Sequence, residues 1–236
     1  MNFKQATVFL TGANRGLGRA LVEELTRQGV KRVYAAARKP ADLPHNDLIV
    51  PVKLDITDRQ AVKAAAQQAA DTTILINNAG ALAAGNFLDA PLELIARDLE
   101  TNYYGSLNLI RAFAPVIEQN GGGAIANVLS VVALASMPSL GGYSASKAAA
   151  FSMTQALRAT LQPKGIRVHA IFPGPVDTEM AAEVDLPKTP PNVVASAILE
   201  GIKNGVDNIF PDPMAAQVGQ IWLANPQELE RQFASA

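Results

Sequence analysis

Tyr143 and Lys147 lie four residues apart in Tyr143-Ser144-Ala145-Ser146-Lys147, a segment that reads as the opening of a helix. At that spacing both side chains leave one helix face about one turn apart. An ammonium beside a phenol favours the phenolate, so the pairing predicts a Tyr143 pKa below the reference of about 10 and closer to the range where a proton donor or acceptor works. Ser130 follows an apolar run, Gly123–Leu129, and from a strand tip its hydroxyl could hydrogen-bond a substrate oxygen. Asn102 falls inside a long helical stretch, Leu92–Glu118. Asn is unfavourable in a helix interior, so a specific hydrogen-bonding role is expected for it, with the helix interrupted nearby. Each signal alone is weak: Tyr-x-x-x-Lys arises by chance on helices, and strand-end serines are common in turns.

The elements that would bring these residues together are legible as an alternation of apolar runs and helix-like segments. Strands are expected at Thr7–Leu10, Arg32–Ala37, Leu48–Leu54, Thr73–Asn77, Gly123–Leu129, Arg167–Phe172 and Asn208–Phe210. Helices are expected at Gly18–Gln28, stopped by Gly29, at Asp58–Ala70, capped by Thr57 or Asp58, at Leu92–Glu118, Tyr143–Leu161 and Val193–Lys203, and in the tail. Short apolar strands joined by helical crossovers predict an α/β fold: one doubly wound parallel sheet of about seven strands, Rossmann-type, with helices on both faces. No linker, low-complexity tract or repeat divides the chain, so a single domain over residues 1–236 is expected.

Between the first strand and the first helix stands Thr11-Gly12-Ala13-Asn14-Arg15-Gly16-Leu17-Gly18. Gly12 suits a tight turn, Gly16 a close backbone approach to a ligand, and Gly18 close packing of helix on strand. The helix N-terminus behind them offers free N–H groups and positive partial charge to a pyrophosphate. The second strand ends in Ala37-Arg38-Lys39, where an acidic residue would favour a free ribose hydroxyl. A guanidinium there can fork onto a 2′-phosphate, and Arg15 can approach the same group, which points to NADP(H).

Read in order, these motifs resemble the short-chain dehydrogenase/reductase family: the Gly-x-x-x-Gly-x-Gly spacing, Asn77-Asn78-Ala79-Gly80, Asn102, Ser130, Tyr143 with Lys147, and Pro173-Gly174-Pro175-Val176-Asp177-Thr178. The likeness runs from about Thr7 to Thr178. It implies a hydride passed between nicotinamide and a carbonyl or secondary alcohol. Tyr143 would be the proton donor or acceptor, and Lys147 would tune it and bind the nicotinamide ribose. Ser130 would hold the substrate oxygen, and Asn102 would position a water leading to solvent. The cofactor would touch Gly12, Asn14, Arg15, Gly16, Leu17, Gly18, Arg38, Asp55, Ile56, Asn78, Ala79, Gly80, Tyr143, Lys147, Pro173, Gly174, Val176 and Thr178. Asp55 is read equally as an acceptor for the adenine amino group or as an acid just before a helix, and Asn77 as mainly structural.

Composition narrows the alternatives. The chain has 236 residues, 49% hydrophobic and 17% charged, with net charge −1. Disorder is therefore not expected, nor bulk attraction to nucleic acid or an anionic membrane. With no cysteine and two histidines far apart, His45 and His169, no metal site is expected. The polar start, Met1–Gln5, leads into an apolar run too short for a signal peptide, and a cytoplasmic protein is the expectation. The segment from Glu179 to Pro190 has room for only a small lid, which predicts an open pocket lined by Leu82, Leu134, Leu140 and Met180. Asn208–Pro213 and the tail, with Trp222 and Phe233, either join subunits of a homodimer or homotetramer or close the chain's own core. Two other functions are compatible with the scaffold. A non-catalytic NADP(H) sensor would not need all four candidate residues intact. An epimerase or dehydratase would need a larger site.

Overall fold

The computed structural model describes residues 2–43 and 46–235; His45 lies outside them. Seven strands form one parallel sheet in the order β3-β2-β1-β4-β5-β6-β7. They are β1 (Thr7–Thr11), β2 (Arg32–Ala37), β3 (Ile49–Lys53), β4 (Ile74–Asn77), β5 (Gly123–Val128), β6 (Ile166–Ile171) and β7 (Asn208–Ile209). Alternate residues of the inner strands feed opposite faces, as the two-residue period of a strand requires. Val8, Leu10, Ile74, Ile76, Ala124 and Ala126 pack on one side, under α1 (Gly16–Arg27) and α6 (Pro191–Asn204). Phe9, Leu75 and Ile125 pack on the other, under α2 (Arg59–Gln68), α4 (Ser106–Gln119) and α5 (Gly141–Leu161). Both faces are covered, which is why these strands carry apolar runs without polar alternation.

β1 pairs with β2 on one side and β4 on the other. The chain winds outwards in both directions from this point, and a crevice opens at the carboxyl ends of the two strands. The glycine turn, the Asn77–Gly80 segment and Ser130 all leave strands at that edge.

Three expectations are met and made specific. The long helical stretch is α3 (Leu92–Leu99), one π turn (Glu100–Gly105) and α4, so the interruption falls at Asn102. Asp58, not Thr57, caps α2, with Oδ1 accepting from the Gln60 and Ala61 N–H groups. The tail is two helices, α7 (Pro213–Ala224) and α8 (Pro226–Ala234). Asn225 accepts from the Glu228 N–H to start the second, where Pro226 can take the first helical position without losing a bond.

The open choice about the tail is decided by packing. Phe233 is buried, and Trp222 packs edge-on to Phe151 at 5.9 Å. Phe210 stacks on Phe172 at 5.2 Å. These aromatics join a third apolar cluster with Tyr143, Val131 and Val132. The tail therefore closes the core beneath the Tyr143 end of α5.

Candidate active site

The crevice is shaped first by glycines. Gly12 has φ +66° and Gly16 φ +51°, backbone that L residues rarely adopt. A Cβ on Gly18 would overlap the Gly12 carbonyl oxygen, so α1 can start this close to the turn only with glycine there. A Cβ on Gly16 would lie 3.1 Å from the Thr178 methyl group, which brings the β6 end of the crevice against the glycine turn. Asn78 locks the turn from β4: its amide nitrogen donates to the Thr11 and Gly12 carbonyls at 2.9 and 3.2 Å. In return the Thr11 hydroxyl accepts from the Asn78 and Ala79 N–H groups, both at 3.1 Å. Unlike α2, α1 has no side-chain cap. Its first N–H groups are left for an acceptor from outside the chain.

Arg38 is exposed just past β2 and lies close enough to Asp55 to help hold that carboxyl below its ordinary range; the larger causes are hydrogen bonds from the Thr57 backbone and hydroxyl. Both Thr57 bonds go to one Asp55 oxygen. Ile56 is buried, with its side chain against Gly105 of the π turn. Arg15 departs from expectation. It pairs with Glu179 at 2.8 Å instead of standing as a second free cation beside Arg38. Both partners are mostly exposed, so the pair is worth only about 0.2–1 kcal/mol.

The second half of the crevice is built from buried polar side chains. Asn102 accepts from the Ala81 N–H at 2.9 Å, donates to the Ala81 carbonyl at 2.8 Å and donates to the Ser146 hydroxyl at 2.8 Å. The Ser146 hydroxyl in turn donates to the Tyr143 carbonyl at 2.7 Å. The Asn102 amide, carried on the π turn, ties the strap after β4 to the first turn of α5. Both amide hydrogens of Asn102 are taken by protein groups. The point a Gly80 Cβ would occupy is 3.1 Å from Asn102 Oδ1 and 3.6 Å from Lys147 Nζ, so the Asn77–Gly80 segment and the Tyr143–Lys147 turn meet here. Asn77 itself points into the sheet and donates to Asn127 at 2.8 Å.

Tyr143 and Lys147 are buried on the first turns of α5. Ser130 bears on the Tyr143 hydroxyl and lowers its pKa, and its Oγ accepts from the Val132 N–H at 3.4 Å. Lys147 Nζ donates to the Val128 carbonyl at 2.9 Å and stands 5.6 Å from the centre of the Tyr143 ring. Burial pushes the phenol well above its ordinary pKa; the Ser130 hydrogen bond pulls it part of the way back, and the Asp98 carboxylate raises it. Burial brings Lys147 down to about 8, while Asp98 works the other way. The expected acidification of Tyr143 by Lys147 is therefore not what this arrangement produces. The ammonium reaches across to β5 instead of the phenol oxygen, and desolvation dominates.

The Pro173–Thr178 segment closes the crevice after β6. The Pro173 carbonyl accepts from the Val131 N–H at 3.1 Å. The Gly174 N–H donates to Asp212 at 2.8 Å, and Val176 bridges to Thr189. The Thr178 hydroxyl donates to the Val176 carbonyl at 3.3 Å. Asp212, which also caps α7 through the Ala215 N–H at 2.8 Å, is a site-shaping residue that the sequence analysis did not single out, leaving its segment open between a subunit contact and the chain's own core. The Asp-Pro pair at a helix start was the signal that could have found it. Of the expected pocket residues, Leu82, Leu134 and Leu140 pack partly buried on the third cluster, while Met180 is exposed on the short turn Glu179–Ala181.

Residues 6–188 match the family model described as short chain dehydrogenase. The chain belongs to the short-chain dehydrogenase family. A short chain dehydrogenase from Burkholderia cenocepacia, solved in complex with NADP, is 41% identical and superimposes with a TM-score of 0.94 over 99% of each chain. A short-chain dehydrogenase from Sphingobium yanoikuyae in complex with NADPH is 28% identical, with a TM-score of 0.81 over 95% of this chain and 94% of that one. Among curated relatives, a probable oxidoreductase of Mycobacterium tuberculosis, EphD, is 35% identical over 76% of this chain, which spans only 32% of that protein's length. An L-rhamnose 1-dehydrogenase (NAD(P)(+)) of Azotobacter vinelandii is 33% identical over 75% of each chain. Among the described residues no helix is long and apolar enough to cross a membrane, and no group of three or more metal-ligating side chains occurs.

Proposed function

We propose that this chain is an NADP(H)-dependent oxidoreductase that interconverts a ketone or aldehyde and the corresponding alcohol, with Tyr143 as the acid or base. The single observation that carries the reading is Tyr143 buried on the first turn of α5, where Ser130 bears on its hydroxyl and lowers its pKa, with Lys147 one turn away at the carboxyl edge of the sheet.

The crevice fits a dinucleotide phosphate at both ends. The uncapped start of α1 and the turn at Gly12, Gly16 and Gly18 suit a pyrophosphate, with Asn14 and Leu17 beside it. Arg38 supplies the cation for a 2′-phosphate, and Asp55 and Ile56 border the adenine side. Asn78, Ala79, Gly80, Pro173, Gly174, Val176 and Thr178 would line the nicotinamide half. NADP(H), when bound, supplies or accepts the hydride.

The protein's own contribution is proton movement and positioning. Because burial holds the phenol protonated near neutral pH, Tyr143 suits the donor role in carbonyl reduction. Its O–H bond breaks as the substrate oxygen takes the proton. Ser130 stabilises the same oxygen as charge builds on it. Lys147, one turn behind, presents an ammonium to the ribose side, and Asn102 fixes the strap that walls the site. Leu82, Leu134 and Leu140, with Met180 at the rim, favour apolar carbonyl compounds of varied size. The reading includes a cytoplasmic location and a homodimer or homotetramer.

The test is NADPH consumption, followed by absorbance, against a panel of ketones, aldehydes and quinones, beside Tyr143→Phe. Turnover of at least one carbonyl should fall by about 100- to 10,000-fold in the variant. Undiminished turnover would remove Tyr143 from the chemistry.

A further inference from the structure

β6 and β7 leave the sheet side by side, and their pairing outlasts the strands. Ile171 faces Ile209 at the last ladder position, and the Phe172 N–H donates to the Ile209 carbonyl at 2.9 Å. The rings of Phe172 and Phe210 then stack. Two residues further on, the Gly174 N–H donates to Asp212 Oδ2 at 2.8 Å. Asp212 stands between Pro211 and Pro213. A residue before proline is biased to extended backbone, and Asp212 has φ −143° and ψ 166°. That conformation suits a helix N-cap, and Oδ1 accepts from the Ala215 N–H at 2.8 Å. One buried carboxylate therefore serves main-chain groups on two separate segments, one oxygen to each.

The other end of the Gly174 peptide group reaches the catalytic edge. The Pro173 carbonyl accepts from the Val131 N–H at 3.1 Å, and two residues earlier the Ile171 carbonyl accepts from the Leu129 N–H at 2.7 Å. Ser130 sits between these two bonds, so the exit of β6 fixes the main chain on both sides of it. The Pro173–Gly174 peptide is thus held at its oxygen by the strand tip that carries Ser130 and at its nitrogen by Asp212. A peptide group is planar and nearly rigid, so holding both ends sets its tilt. The segment from Pro175 to Thr178 departs from that plane. The approach needs glycine: a Cβ on Gly174 would stand 2.9 Å from Asp212 Oδ1 and 3.3 Å from Met214 Sδ.

We propose that Asp212 is a positioning residue of the catalytic site: by clamping the Pro173–Gly174 peptide it fixes Val176 and Thr178 relative to Ser130. The inference rests on the oxidoreductase reading given above, in which Ser130 takes the substrate oxygen and the Pro173–Thr178 segment lines the nicotinamide half. Asp212 acts on the reaction through one shared peptide plane, where a small misplacement is enough to slow transfer between two bound groups. Arg38, at the 2′-phosphate end, follows β2 and has no part in the clamp.

The experiment measures, by calorimetry, binding of NADPH and of 2′,5′-ADP, which keeps the 2′-phosphate but has no nicotinamide. Asp212→Ala removes both bonds of the carboxylate. Asp212→Ser keeps a cap for α7 on a side chain too short to reach Gly174. Gly174→Ala crowds the same bond from the other side and leaves Asp212 in place. In each variant NADPH should bind about fivefold more weakly, while 2′,5′-ADP changes by less than about twofold. At saturating NADPH kcat should fall about tenfold. Asp212→Ser should recover the urea midpoint lost in Asp212→Ala without recovering the NADPH affinity. Unmoved NADPH affinity and kcat, in whichever variant folds, would leave Asp212 a helix cap only and overturn the inference. Parallel losses for both nucleotides would overturn it too. Tyr143→Phe, run alongside, separates the two readings. Turnover retained in that variant sinks the chemistry itself, whereas turnover lost there with an unmoved ratio of the two affinities in the Asp212 variants sinks only the role of Asp212.

Discussion

At the β1–α1 turn the crevice is made of backbone. Gly12, Gly16 and Gly18 set its shape, Asn78 and Thr11 bind main-chain groups, and the charged side chains nearby, Arg15 and Arg38, are exposed. At the β5–α5 end it is made of buried side chains: Tyr143, Lys147, Asn102, Ser146 and Asp98 are all nearly or fully removed from water. The first region tolerates almost no added atom, yet its exposed charges are screened. In the second, each change of charge acts in a medium of low dielectric, where it counts for more. One end should therefore break through sterics and the other through ionisation.

The largest effect should come from the first end. Gly18→Ala puts a methyl group onto the Gly12 carbonyl oxygen and should cost about 3 kcal/mol of stability, with NADPH binding lost in the same variant. Denaturant unfolding and NADPH titration would measure both. A stable variant that binds normally would show that α1 can shift away from the turn, and the contrast between the two ends would weaken.

A smaller effect of opposite sign is expected at the second end. Burial moves Lys147 from its ordinary 10.5 to about 8, so the folded protein binds that proton more weakly than the unfolded chain does. The resulting penalty is complete below pH about 8. It disappears as pH rises towards 10.5, because stability increases wherever the unfolded state holds more protons. Lys147→Met should thus raise unfolding free energy at pH 7 by about 2 kcal/mol while abolishing turnover. Its advantage over the parent should close between pH about 8 and 10.5. Urea melts across that range would show it, and a destabilised variant at pH 7 would mean that the Val128 hydrogen bond outweighs the burial of charge.

The smallest effect returns to the exposed charges. Arg38→Ala should weaken NADPH binding about tenfold, or about 1.4 kcal/mol, and NADH binding little. Equal losses for both nucleotides would show that Arg38 does not read the 2′-position. A steep salt dependence of the NADPH value alone would sharpen the distinction from the buried end.

Much of this could be read without coordinates, and the reason differs by element. The inner strands were plain because burial on both faces leaves an uninterrupted apolar run, as in Thr7–Leu10 and Thr73–Asn77. The glycine turn was plain because positive φ and close approach admit one residue type. Strand ends and helix starts slipped by one or two residues, as at β3 and α1, because no side chain marks them. Asp98 and Asp212 went unread as site residues because a buried carboxylate looks like a surface one in sequence. Burial depends on which helix packs against which loop, and those partners lie elsewhere along the chain: Asp98 meets Ala83, and Asp212 meets Gly174.

Residue types and their order alone determined the parallel sheet, the place of the crevice at β1 and β4, and the gathering of Ser130, Tyr143 and Lys147 at one edge. These follow from local geometry, from backbone torsions to strand and helix periods to right-handed crossovers. Tertiary packing decided the electrostatics: that Tyr143 is held protonated, that Lys147 turns to Val128, that Arg15 is paired and that Asp98 is buried against the segment after β4. Ionisation depends on the dielectric and on neighbours brought in from elsewhere in the chain, and neither exists until the core has closed around them.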